Sequence, residues 1–577
     1  MTAATRHATR AGAHPAPVED EPLVAPIDVD AASDYDVLPY PSMPITHTQP
    51  AHLAALAALF GAAAPAVERA RVLELGCAAG GNIVPLAARF PHASFAGIDL
   101  SERHIADGRA RIAALGLENI RLQQGDLATL DLAGEQFDYV ICHGVFSWVP
   151  KATQDAIFRL CRDVLVPNGV VTISYNVLPG WHLRMAIRDL CLHYAGREGT
   201  PQRRVARARA ALEQIAEASE ESEPYGRLMR TEARRLKQVP AAYILGEFLA
   251  PDNTPCHVRD FIGQAANHGL DYLCEADLFA AVPQTLDPAM RGRITAFADS
   301  DRAATEQHID FLTGRLFRRS VLVRQQPTAC LQRIPGPDRL SALHIASPIC
   351  LDRAESTDRL VTFRDARERP IATGDPVIRE AFERLARAYP ATLPLDALTE
   401  LPDGTPHVAA EIEARVRRAI FTMVLAGRAS ISVLPLRVGH ADHEHPTAWC
   451  VARAEAASGQ PWVTTLGHAG VPTHPILRVL LPLLDGTHGR SALRARLADA
   501  LQSGAVRVPE LPADRPPPSR ERLGAIVEQY LDQILRHLER HPVLEPGPAW
   551  AGTAGQLVAK NPHCDSSREN RGPITDY

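Results

Sequence analysis

The sequence has no CxxC pair, no surplus of positive charge, and no apolar run near the roughly eighteen residues that a membrane-spanning helix needs. Its ten cysteines, at positions 77, 142, 161, 191, 256, 274, 330, 350, 450 and 564, show no pairing pattern. Several fall in apolar stretches that read as core, which fits a reducing compartment and not a disulfide framework. A formal charge of -6 and a pI near 6.5 argue against a general nucleic-acid binder. The N-terminus carries Arg6 and Arg10 but no apolar stretch of the kind a secretory signal requires. Residues 1–34 are therefore expected as a disordered tail, with organelle targeting as the alternative, and the cytoplasm is the expected location.

What is present is an ordinary globular composition, 46% hydrophobic and 22% charged, over 577 residues. That is too long for one core and suggests two or three domains. From residue 71 strand and helix patterns alternate at short spacing, which predicts a parallel α/β sheet. The expected strands are 71–75, 94–99, 120–125, 137–142 and 170–175. Between the last two, Ile157, Leu160, Cys161, Val164 and Leu165 mark one helical stripe, with Asn168-Gly169 as its stop. Two later strand candidates, 269–276 and 318–325, would complete the sheet and make the helical stretch 197–268 an insertion into a domain spanning 35–325. Residues 326–375 read as an irregular linker and 376–545 as a separate unit of helices around an extended segment. A tail follows from 546 to 577.

The stretch "VLELGCAAGGNI" (72–83) resembles a nucleotide loop that lacks its middle glycine, with Ala78 and Ala79 between Gly76 and Gly80. Three carboxylates end successive strands at the edge where open α/β sheets bind ligands: Glu74, Asp99 and Asp126. A pyrophosphate needs the close backbone approach of that glycine and is repelled by a nearby acid. S-adenosylmethionine (SAM) carries no phosphate but bears an ammonium and a sulfonium, so Glu74 favours it. In this reading Gly76, Ala78 and Gly80 shape the loop, and Asp99, with Leu100, holds the ribose. Asp126, with Leu127, meets the adenine. A dinucleotide loop and a purely structural turn are the alternatives.

The set "VLELGCAAGG", "GIDLS", "QGDLATL" and "FDYVICHGVFSWVP" resembles the class I SAM-dependent methyltransferases over roughly residues 70–175. Longer stretches, among them "YDVLPYPSMPITHTQPAHLAALAALFG", "SYNVLPGWHLR", "GEFLAPDNTPCHVRDFIGQAANHGLDYLCEA" and "FLTGRLFRRSVLVR", are similar to bacterial methyltransferases with a methyltransferase regulatory domain. That group includes rickettsial protein-lysine methyltransferases. The resemblance implies a Rossmann-like sheet with an inserted helical regulatory region and a C-terminal winged-helix-like domain. It also implies SAM as cofactor and a protein side-chain amine, lysine first, as acceptor. Ala78 departs from the family's usual glycine. A structural or protein-contact role is expected for the C-terminal domain, and no nucleic-acid partner.

A lysine acceptor must be neutral, and an amine of pKa about 10.4 is neutral in only roughly one molecule in a few thousand at pH 7. Burial in an aromatic pocket offsets part of that cost of about 4 to 5 kcal/mol. Candidates at the right edge are His143, which could take a proton or contact the methionyl group, and Asn176, whose carbonyl could orient the amine. Phe146, Trp148, Tyr175 and Trp181 offer aromatic walls, and Tyr35 and Tyr40 lie in a segment placed to close over SAM. No Asn/Asp-Pro-Pro-Tyr/Phe motif follows the fourth strand, which disfavours the DNA-amino and glutamine methyltransferases. A small-molecule acceptor and a SAM-binding protein without turnover are the rival readings. "GHADHEHP" (439–446) has the composition of a zinc site but no scaffold, so no metal is assigned. "ITHTQPAHL" (45–53) reads as a helix lead-in.

Overall fold

The computed structural model describes residues 42–132, 134–278, 288–297, 301–325, 335–399, 410–511 and 518–547. Tyr35, Tyr40, the expected tail 1–34 and most of 546–577 lie outside the described residues.

A seven-stranded sheet organises the first half of the chain. Its strands are β1 (Arg71–Leu75), β2 (Ser94–Asp99), β3 (Ile120–Gln124), β4 (Phe137–Cys142), β5 (Leu165–Asn176), β6 (Leu270–Glu275) and β7 (Phe317–Arg324). They are arranged β3-β2-β1-β4-β5-β7-β6. The first five pair in parallel, while β7 runs antiparallel to both β5 and β6. The topological switch point lies between β1 and β4, so their C-terminal ends open a crevice. Near-continuous burial of β1 and β4 follows from helices covering both faces.

On one face lie α1 (Pro50–Leu59), α2 (Ile83–Arg89) and α3 (Glu102–Leu115), packing Leu56, Leu86 and Ile105 into the core. Ser101 caps α3 through the His104 N–H, and Gly116, in the left-handed conformation, ends it. On the other face, α4 (Lys151–Val164) buries Ile157, Leu160, Cys161 and Val164, the stripe read from the sequence. The helix stops at Val164, four residues before the expected Asn168-Gly169 stop. Leu165 already pairs with Phe137, and Gly169 lies inside β5, where a Cβ would meet the Asp138 carbonyl oxygen at 3.0 Å.

Between β5 and β6 come α5 (Gly180–Ala195), α6 (Pro201–Ala218), α7 (Pro224–Gln238), α8 (Ala241–Phe248) and α9 (Val258–Asn267). The first four enclose a core of their own around Ile187, Leu212, Met229 and Phe248, while α9 returns to the sheet through Phe261. Helices α10 (Pro288–Phe297) and α11 (Arg302–Thr313) precede β7.

The stretch expected as linker differs from that reading. It contains β8 (His344–Ala346), β9 (Cys350–Asp352), β10 (Val361–Arg364) and β11 (Pro370–Thr373), each too short for alternation to register. Helices α12 (Pro376–Ala388), α13 (Leu395–Thr399) and α14 (Ala410–Leu425), with β12 (Leu393–Pro394) and β13 (Ser430–Ser432), follow. Phe363, Leu385, Ile420 and Ile431 join the same core as α1, so 376–431 packs with the sheet domain and does not open the C-terminal unit. A second core begins at Ala441. It is built on α15 (Cys450–Ala457), the hairpin β14 (Trp462–Thr464) and β15 (Gly470–Pro472), α16 (Pro475–Leu480), α17 (Arg490–Gln502) and α18 (Arg520–Arg540). Among the described residues no helix is long and apolar enough to cross a membrane, and none of the described cysteines is in a disulfide.

Candidate functional site

Beyond β1 the chain turns sharply. Gly76 (φ 74°), Ala78 (φ 46°) and Gly80 (φ 70°) alternate in the left-handed region. At Gly76 a Cβ would meet Val145 Cγ2 at 2.2 Å, so this position requires glycine for space as well as conformation. Ala78 takes the conformation of the glycine it replaces, at a cost on the order of 1 kcal/mol. The loop therefore keeps the shape that the missing glycine would have given.

Asp99 fastens this loop. Its Oδ2 accepts the Ala78 N–H at 2.8 Å and its Oδ1 the Ser101 N–H at 3.0 Å. Leu100 beside it is 50% exposed, an apolar surface on the rim of the crevice. Asp126 and Leu127 follow β3 at the outer end of the same edge. Asp126 is exposed, and its Oδ1 accepts the Ala128 N–H at 2.9 Å, which fixes the turn.

Glu74 is buried on β1, and its Oε1 accepts a hydrogen bond from Asn82 Nδ2 at 2.7 Å. Its other oxygen is buried without a partner. Burial pushes the carboxyl up to about 8, opposed by the Asn82 hydrogen bond and reinforced by the Asp99 charge. A buried orphan carboxylate oxygen calls for a donor, and a cationic one most of all.

At the end of β4, His143 sits edge-on to Phe317, ring centroids 5.9 Å apart, with a buried and unpartnered Nδ1. Burial, then Arg319 and His47, lower its pKa to about 3, so it is neutral at physiological pH. Asn176, at the end of β5, is buried, and its Nδ2 donates to Asn253 Oδ1 at 3.1 Å. That bond turns the Asn176 carbonyl oxygen the other way. Trp181, at the start of α5, packs edge-on against Trp148 at 5.9 Å. Arg184 lies 5.7 Å from the Trp181 ring, and the indole N–H is buried without a partner.

Tyr175 does not join this group. It faces the opposite side of β5, stacked on Phe261 at 3.9 Å, with its hydroxyl 3.0 Å from Ser320 Oγ. Side chains alternate along a strand, so Tyr175 and Asn176 cannot share a face. Phe146 is likewise core, against Phe158 and Phe261.

Several residues at the crevice carried no assignment from the sequence. Asn82 also accepts the Ile45 N–H at 2.9 Å and donates to Thr48 Oγ1 at 3.0 Å. The segment 45–49 is the expected lead-in to α1, and it also walls the site. Its His47 Nδ1 is buried and unpartnered, and burial, then His52 and Arg319, bring that pKa down to about 4. Asn253, from the loop before α9, and His468, from the C-terminal hairpin, arrive from distant sequence. The histidines at 439–446 are exposed, with His440 Nδ1 2.9 Å from Glu539 Oε1.

Three family models match the chain. A methyltransferase domain covers residues 72–169, a predicted methyltransferase regulatory domain 240–324, and the C-terminal winged helix domain of PKMT 444–543. An uncharacterised protein of Rickettsia prowazekii is 30% identical over 483 residues, 82% of this chain and 87% of that protein. The chain belongs to the SAM-dependent methyltransferases that carry a methyltransferase regulatory domain. A second uncharacterised protein of the same organism is 35% identical over 40% of this chain and 93% of its own length. PKMT2 of Rickettsia typhi shares the fold, with a TM-score of 0.77 over 88% of this chain and 100% of that one, at 24% identity. It has also been solved in complex with AdoHcy.

The crevice of this methyltransferase fits its cofactor. The orphan oxygen of Glu74 suits an ammonium, the strained loop gives close approach, and half-exposed Leu100 beside Asp99 suits an adenosine lying across the strand ends. SAM, when bound, supplies an electrophilic methyl group on its sulfonium.

Proposed function

We propose that this methyltransferase transfers the methyl group of SAM to lysine ε-amines of a protein substrate. Glu74 holds the methionyl ammonium, Asp99 with Leu100 the ribose, and Asp126 with Leu127 the adenine. Methyl transfer is an in-line displacement, so the remaining task is to present a neutral amine in the right direction. The observation that carries the reading is the pairing of Asn176 with Asn253. It leaves an amide oxygen, a neutral acceptor, at the crevice edge where a buried amine must be oriented by an N–H hydrogen bond. His143, held neutral by a pKa lowered to about 3, is too weak a base to deprotonate a lysine ammonium. It serves as a neutral hydrogen-bond partner, while the ammonium sheds its proton to water as it leaves solvent. Trp148 adds an aromatic wall that favours the methylated cation over a hydrated one. The family model for the PKMT winged helix and the shared fold of PKMT2 support the same reading.

The test is methyl-labelled SAM with the full-length enzyme and a lysate of its source cells, with Asp99→Ala as control. Acid- and base-stable label in a few protein bands, absent in the control, is expected. Self-labelling of the enzyme at lysine is limited to three positions, Lys151, Lys237 and Lys560. Label confined to small molecules would overturn the protein acceptor, and SAM binding with no transfer would overturn the enzyme reading.

A further inference from the structure

The C-terminal hairpin reaches into the crevice from the other side. His468 lies at its tip, 2% exposed, with Nε2 2.8 Å from Asn82 Oδ1. The protonation of this contact follows from its neighbours. Asn82 Oδ1 accepts the Ile45 N–H, which can only donate, and Nδ2 donates to Glu74. The oxygen therefore faces His468, and Nε2 must carry the hydrogen. Burial, with Arg89 nearby, lowers the His468 pKa to about 3, so the ring is neutral and the proton stays on Nε2.

Two further observations point the same way. His468 has φ 60°, a left-handed conformation that glycine or asparagine adopts at lower cost. The backbone turn is closed without its side chain, by the His468 N–H to the Thr465 carbonyl at 2.9 Å and the Ala469 N–H to Thr465 Oγ1 at 3.0 Å. An imidazole kept at a strained position is serving something outside the turn. A second link runs beside it. Arg111 donates to Glu455 of α15 at 2.9 Å and to the Ala79 carbonyl of the glycine loop at 3.4 Å. Thr46 Oγ1 also donates to the His468 carbonyl, at 3.0 Å.

We propose that the C-terminal winged-helix domain is a working part of the SAM site, with His468 a positioning residue. It fixes the Asn82 amide, and Asn82 in turn holds Glu74 where it meets the ligand's ammonium. This rests on the reading of Glu74 as the methionyl contact. The titratable groups bearing on Glu74 are Asp99 at the end of β2, Cys77 in the loop and Cys142 on β4. None of them replaces the hydrogen bond from Asn82.

The experiment measures SAM binding by calorimetry on full-length protein. His468→Ala is expected to weaken SAM about tenfold, the worth of one buried hydrogen bond. It should also move the pH at which Glu74 ionises upward, because the Asn82 N–H no longer favours the charged form. His468→Asn tolerates the left-handed backbone, retains an N–H donor, and is expected to recover part of the affinity. In the parent protein, SAM is expected to slow hydrogen exchange in 464–470 as well as in 72–83, since coupling between sites is reciprocal. Unchanged affinity in His468→Ala, with Asp99→Ala impaired, would overturn the proposal and leave the SAM site standing. Parent-like affinity in Asp99→Ala would overturn both. If His468→Ala does not fold, unchanged exchange in 464–470 on adding SAM to the parent protein overturns the proposal.

Discussion

Asp99 and Ala78 are joined by a hydrogen bond of 2.8 Å from the Ala78 N–H to Asp99 Oδ2. One carboxylate thus braces the glycine loop and, in the proposed site, also meets the ribose hydroxyls. Asp99→Ala removes both roles and is expected to weaken SAM about a hundredfold, since hydrogen bonds to a charged group are worth about 1.5 to 3 kcal/mol each. Asp99→Asn keeps one acceptor and should fall between. Calorimetric titration of SAM into each variant decides this, and parent-like affinity in Asp99→Ala would remove Asp99 from the site.

Ala78 holds the left-handed conformation without a glycine's freedom. Ala78→Gly is therefore expected to stabilise the folded protein by about 1 kcal/mol, with SAM affinity kept or improved. Urea unfolding of the ligand-free protein, followed by near-ultraviolet circular dichroism, measures it. A loss of stability would mean that the Ala78 methyl makes contacts worth more than the strain.

The proposed contact of Glu74 with the SAM ammonium predicts binding that depends on pH in a definite direction. Its folded pKa is raised to about 8, so the free enzyme holds it protonated at neutral pH, whereas an ammonium ligand favours the carboxylate. Binding should release about one proton well below pH 8, and affinity should climb with pH until Glu74 is already ionised. His47, His143 and His468 contribute no protons near neutrality, their values lying at about 4, 3 and 3. Titration in two buffers of different ionisation enthalpy counts the proton, and Glu74→Gln should abolish its release. The same shift bears on stability. A raised carboxyl stabilises the fold below the ordinary carboxylate range, and that contribution fades as pH rises through about 8.

The sheet was legible because its strands are buried on both faces and its acids fall at strand ends, where β1, β2 and β3 stop. Helix α4 showed its stripe for the same reason, one face against the sheet. Strands of three or four residues between 344 and 373 carry no usable period, and so read as linker. The reach of His468 to Asn82, across 386 positions, leaves no local pattern at all. Asn253 lies in a loop whose family likeness was visible while its contact with Asn176 was not. Tyr175 failed as a pocket residue through a rule that was available, since neighbours on a strand face opposite ways.

Asn176 and Asn253 should separate catalysis from cofactor binding. Asn176→Ala removes the oriented carbonyl, and Asn253→Ala lets the Asn176 amide rotate. Both are expected to lower kcat at least tenfold while SAM affinity stays within about twofold, because neither touches the Glu74–Asp99 side of the crevice. Single-turnover methyl transfer with saturating SAM reads the difference. An equal loss of SAM affinity would place Asn176 in the cofactor site instead.

Arg318 tests what holds α11 to the antiparallel edge of the sheet. It is fully buried on β7 and donates to Glu275 Oε1 at 2.8 Å, Glu306 Oε2 at 2.9 Å and Asp310 Oδ1 at 2.9 Å. Glu275 is further satisfied by the Ser320 and Tyr272 hydroxyls, at 2.8 and 3.0 Å. One guanidinium thus ties β6, β7 and α11 together. Arg318→Met leaves three buried carboxylates without their shared cation, and a loss of about 3 to 5 kcal/mol is expected. The sign with pH follows from the same charges. Without Arg318 the carboxyls' folded pKa values rise, so the deficit is largest at neutral pH and shrinks as the groups take up protons in acid. Urea unfolding of parent and variant at neutral and mildly acidic pH measures both quantities. A deficit independent of pH would show that packing of the arginine stem, and not its charge, carries the stability.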